Sequence, residues 1–94
     1  MKLIYSESAV KDLTRLRSFI AEHNPKSASQ VANNLIERIK ALTEFPRMGV
    51  PVPNAPDPET LRELILDNYV IRYSFYAETV VILKIWHHRE NRQP

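Results

Sequence analysis

The stretch Tyr69-Val70-Ile71-Arg72-Tyr73-Ser74-Phe75-Tyr76, then Ala77-Glu78-Thr79, then Val80-Val81-Ile82-Leu83-Lys84-Ile85-Trp86-His87-His88, decides the fold. It reads as two strands of one hairpin, because β-branched and aromatic residues fill both runs and turn residues separate them. Side chains alternate along a strand. One face then carries Tyr69, Ile71, Tyr73, Phe75, Val81, Leu83 and Ile85. The other carries Val70, Tyr76, Val80, Ile82 and Trp86, mixed with Arg72, Lys84 and His88. The first face is expected under the helices; a one-residue slip would exchange the two. A domain this small covers only one sheet face with its own helices. The second face therefore asks for a partner.

Working outward, Leu61–Leu66 is the preceding strand, and Asp67-Asn68 is a two-residue turn into Tyr69. Met1–Tyr5 is a short strand candidate. Ser6 offers an N-cap and Glu7 a favourable first-turn charge. Ala9, Leu13, Leu16, Phe19 and Ile20 recur at helical spacing, which predicts a helix from Glu7 to Glu22. Asn24-Pro25 ends it and opens a second helix, since Asn caps well and Pro suits the first helical position. That helix is expected to run to Glu44, with Val31, Leu35, Ile36, Ile39 and Leu42 on one stripe. A short connection makes the two an antiparallel pair. Phe45 to Pro58 holds five prolines and Gly49, and reads as an ordered loop. The order is β-α-α-β-β-β. It predicts an α+β domain spanning residues 1–94, with a helical hairpin across one face of an antiparallel sheet. The second strand is expected to run opposite to the first.

The chain has 94 residues, formal net charge +2 and no cysteine. Its length points to one domain of modest stability, or one stabilised by a partner. Without cysteine there is no disulfide, thiolate metal site or cysteine nucleophile. No signal peptide or membrane-length apolar run is visible, so a cytoplasmic protein is expected. The charge is a weak nucleic-acid signal. Its placement says more, since Lys84, His87, His88, Arg89 and Arg92 crowd the C-terminus.

His87 and His88 point to opposite faces if both lie on a strand, and His23 has no acidic cluster beside it, so no metal site or cofactor is expected. His87 or His88 with Arg89 has the chemistry for phosphate esters, since imidazole titrates near neutrality and guanidinium grips phosphate. A basic strand end that keeps the tail soluble is the simpler reading. Trp86 and Tyr76 beside Arg72 and Lys84 suit nucleobases and phosphates. They suit a protein interface equally, and the apolar side chains around them favour protein. Arg62 shares the parity of Leu64 and Leu66, so it belongs at the core rim, pairing with a carboxylate or forming part of a site.

Several motifs together resemble the ParE/RelE superfamily of toxins from toxin–antitoxin operons. They are Ser6 to Leu16, Asn24-Pro25 followed by Ala28 and Ala32, and Leu42-Thr43-Glu44-Phe45-Pro46-Arg47-Met48-Gly49. The closing strands Arg62-Glu63-Leu64, Tyr69 to Tyr73 and Val81 to Arg89 follow in the same order. The RelE-like branch consists of ribosome-dependent mRNA endonucleases. Against its pattern, Val70 stands where a catalytic arginine would be and Leu64 where a lysine would be. No tyrosine follows Tyr76. A nuclease would rest on Arg62, His88 and Arg89. The proline-bearing loop and the ending Ile85-Trp86-His87-His88-Arg89 are similar to the ParE-like branch. That resemblance implies a non-enzymatic poison of DNA gyrase, a role in plasmid stabilisation and a wrapping antitoxin. Arg62, Arg72, Tyr76, Lys84, Trp86, His87, His88 and Arg89 are then the expected contact residues. An inactive antitoxin-binding module is the third alternative.

Overall fold

The computed structural model describes residues 1–57 and 59–90. Pro58 and Arg92, both used in the sequence reading, lie outside the described residues. The elements are β1 (Lys2–Tyr5), α1 (Glu7–His23), α2 (Ala28–Lys40), β2 (Val50–Pro51), β3 (Leu61–Leu66), β4 (Tyr69–Tyr76) and β5 (Thr79–His87). Short 3₁₀ turns follow α2 (Ala41–Thr43) and β5 (His88–Glu90). One five-stranded sheet runs in the order β1-β5-β4-β3-β2. The helices cover one face, which makes the α+β two-layer domain expected.

Two details of that expectation are corrected. Asn24 caps the end of α1, its N–H donating to Ile20 O at 2.6 Å, and α2 starts four residues later at Ala28, behind Ser27. The sheet is also mixed rather than antiparallel, because β1 pairs parallel with β5. The reason lies in the proline loop. Val50–Pro51 pairs antiparallel with β3, so the loop carries the chain back along the sheet before β3 begins. β3 therefore runs in the direction of β1. Pro51, which has no N–H to give, stands on an edge strand where none is needed.

The core joins Ala9, Leu16, Leu35, Ile39 and Leu42 of the helical layer to Leu64, Leu66, Ile71, Tyr73, Val80, Ile82 and Ile85 of the sheet. Val80 and Ile82 were expected on the open face, and Val81 and Leu83 under the helices. The structure reverses all four. The β4–β5 register jumps between Arg72↔Lys84 and Tyr73↔Ile82, leaving Leu83 as the extra residue of a bulge. One inserted residue inverts the alternation on its far side. Ile85 and Trp86, on the near side, keep their expected faces. The hairpin turn is Ala77-Glu78 alone, with φ of 50° and 66°. Thr79 already pairs with Tyr76.

β1 covers only the first half of β5. Beyond it, α1 supplies the partners that the free edge needs. Ser6 Oγ accepts from Ala9 N as the N-cap and donates to Leu83 O, both at 3.0 Å. Asp12 Oδ2 accepts from Ile85 N at 2.8 Å, and Arg15 Nη2 donates to Ile85 O at 2.9 Å. Arg15 also pairs with Asp12 and donates through Nε to Glu90 Oε2 at 2.8 Å. Glu90 Oε1 accepts from His87 N at 2.9 Å. These contacts tie the C-terminal turn to the first helix.

Candidate functional site

Four transverse rows fixed by the register make up the uncovered face of the sheet, the outermost being Lys2, Thr79 and Tyr76 at the hairpin tip. The first is Ile65, Val70 and Trp86. The second is Val50, Glu63, Arg72 and Lys84. The third is Leu61, Ser74, Val81 and Ile4. Ile65 is 63% exposed, and Ile4 and Val50 are also exposed. Large apolar side chains held side by side in water mark an interaction surface.

At the centre of this face Arg72 and Glu63 neutralise each other, and Lys84 beside them is an exposed cation. Arg72 donates through Nε to Glu63 Oε2 at 2.9 Å and pairs with it again through Nη2. Its guanidinium also lies 5.5 Å from the Trp86 ring centroid. Arg72 therefore holds Trp86 by a cation–π contact while its charge is answered by Glu63. The expected contact residues divide on this frame. Arg72 and Trp86 sit together on the face. Lys84 lies exposed at the bulge, with Nζ 3.2 Å from Ser8 Oγ on α1. Tyr76, 80% exposed, stands at the hairpin tip away from Trp86.

Arg62 is turned the other way and is only 7% exposed. Its guanidinium donates to Gly49 O at 2.8 Å, Glu59 O at 2.9 Å and Glu59 Oε2 at 3.1 Å. It pins the proline loop, which is the carboxylate-pairing role at the core rim. His87 points to the helix side, its ring 4.8 Å from Tyr69 edge-on and 5.1 Å from Phe19. Burial, then the charge of Arg89, lowers its pKa below the usual imidazole value. His88 and Arg89 leave the strand in the exposed 3₁₀ turn, where His88 N donates to Asn68 O at 2.7 Å. Among the described residues no group of three metal-ligating side chains occurs.

Sequence reasoning missed Glu63, Asp12, Arg15 and Glu90. Asp12 alone left a legible trace: a carboxylate on the stripe of Ala9, Leu16 and Ile20 has to find a buried donor.

Residues 3–92 match the model of a family described as the ParE toxin of the type II toxin–antitoxin system parDE. The chain is 31% identical to Toxin RelE1 of Caulobacter vibrioides over 96% of both chains. It is 32% identical to Toxin RelE2 of the same organism, over 92% of this chain and 93% of that one. Its fold is similar to a structure titled the chromosomal ParDE TA system from P. aeruginosa. There the TM-score is 0.77 at 21% identity, covering 93% of this chain and 95% of the other.

Proposed function

This chain belongs to the ParE toxin family of type II toxin–antitoxin systems, and from that premise we propose that it poisons DNA gyrase by protein contact and is neutralised by a cognate antitoxin on its open sheet face. The observation that carries contact over catalysis is the row Ile65–Val70–Trp86. The residue at its centre is Val70, where the nuclease pattern would place an arginine. A face built of aliphatic and indole surface around a self-neutralised Arg72–Glu63 pair fits a protein partner better than a phosphate backbone. An antitoxin fits it as an amphipathic segment that folds on binding, laying apolar side chains over Trp86. The choice of gyrase rests on the ParE resemblance. A cytoplasmic location goes with that target, and no helix among the described residues is long and apolar enough to cross a membrane.

The test is gyrase with relaxed plasmid and the purified chain. Loss of supercoiling with trapped linear DNA is the expected result; full supercoiling at micromolar protein would remove gyrase as the target. The names of the Caulobacter relatives favour a second reading, ribosome-dependent mRNA cleavage. Of its residues, His88 and Arg89 are exposed, whereas Arg62 is committed to the proline loop. Intact transcripts in a translating extract that holds the toxin would dispose of it.

A further inference from the structure

A cavity of about 180 Å³ lies where the ends of α1 and β5 meet the start of α2, on the side of the sheet away from Trp86. Phe19 and Tyr69 form its aromatic wall, and His23, Asn24, His87 and Arg89 bring polar groups to it. No carboxylate is among the described residues that line it.

The hydrogen bonds fix what each imidazole presents. His23 Nδ1 lies 2.8 Å from Phe19 O. A carbonyl only accepts, so Nδ1 carries the hydrogen and Nε2 of the neutral ring is a bare acceptor. His87 is the reverse: its Nδ1 accepts from Arg89 N at 3.0 Å, so its Nε2 carries the hydrogen and donates. Both rings flank Phe19, at 4.3 and 5.1 Å between centroids, so an acceptor and a donor border one cavity. Arg89 lines the same cavity, and its guanidinium makes no hydrogen bond or ion pair to another described residue. Glu90, the nearest acid in sequence, is engaged by Arg15.

We infer that this cavity binds a terminal phosphate group, as free phosphate or as a phosphomonoester. A monoprotonated phosphate has one P–OH to give to His23 Nε2. Its remaining oxygens accept from His87 Nε2–H and from Arg89, whose planar fork matches phosphate geometry. Phe19 and Tyr69 offer surface to the organic part of an ester. The site does not depend on the gyrase reading, because it uses the other face of the sheet.

The test is an NMR titration of the full-length chain, reading the imidazole resonances. The probes are inorganic phosphate, 5′-AMP, and an oligonucleotide with no terminal phosphate, each against sodium chloride at matched ionic strength. Saturable shifts of both His23 and His87 with phosphate or AMP are expected. Tighter binding of AMP would identify a nucleotide ester, and equal binding would identify free phosphate. Arg89→Gln and His23→Ala, both at exposed positions, should each weaken binding at least about tenfold with the thermal midpoint retained. Lys11→Gln, which removes a remote cation, should leave it unchanged. Shifts no larger than those in sodium chloride, saturation with the oligonucleotide alone, or undiminished binding in Arg89→Gln would overturn the proposal.

Discussion

Gly49, the only glycine in the chain, sits where a Cβ would lie 2.7 Å from Glu63 O and 2.8 Å from the Tyr73 ring and hydroxyl. Its N–H donates to Tyr73 Oη at 2.9 Å, and that hydroxyl donates to Pro46 O at 2.6 Å. One buried phenol thus holds the entry of the proline loop, from Pro46 to Gly49. Gly49→Ala must push backbone away from backbone, and we expect it to cost about 1–3 kcal/mol, read as a lower urea midpoint. The sequence shows the glycine only as a loop break, because the side chain that crowds it comes 24 positions later. His87 makes a second prediction at this scale. Its folded pKa is below the unfolded value, so the unfolded chain takes up the proton first as pH falls. Stability from this group is therefore full above the ordinary imidazole pKa and declines as pH drops through it. Chemical denaturation at about pH 7.5 and about pH 5.5 should show a lower midpoint at the acid end. His87→Asn, which keeps an acceptor for Arg89 N, should shrink the difference.

Helix α1 acts at the scale of elements as a substitute strand along the exposed half of the β5 edge. Asp12 is its critical group, since it answers both Ile85 N and Arg15. Asp12→Ala would leave a buried N–H unpaired and Arg15 short of one counter-charge. We expect a loss of about 2–4 kcal/mol, measured by thermal or urea unfolding. Glu90 should limit the damage, because it still grips Arg15. The helices and the three long strands were legible because their apolar spacing is regular and locally consistent. The bulge at Leu83 was not. Alternation predicts faces only while the register advances one for one, and nothing in Val80 to Ile85 marks which residue is extra. The direction of β3 was hidden for a similar reason. It depends on two residues, Val50–Pro51, too short a run to carry a strand pattern.

Over the whole molecule, one face of the sheet makes the core and the other is left uncovered. Composition already implied this, since a chain of 94 residues with apolar side chains on both strand faces cannot cover both. What it did not reveal is the sorting of the basic residues. Arg62 went into the loop anchor, His87 into the aromatic cluster and Arg72 into a pair with Glu63. Only distant partners, fixed by folding, decide which cations remain free. The open face is consequently more apolar than a list of arginines and histidines implies, and that favours protein recognition with Trp86 as anchor. The most direct measurement is the dissociation constant of the cognate antitoxin for the intact chain and for Trp86→Ala, by calorimetry, with thermal midpoints as control. A rise of about 30-fold, some 2 kcal/mol, at a nearly unchanged midpoint is expected for an anchor on this face. An unchanged constant would contradict the assignment of the open sheet face to the partner.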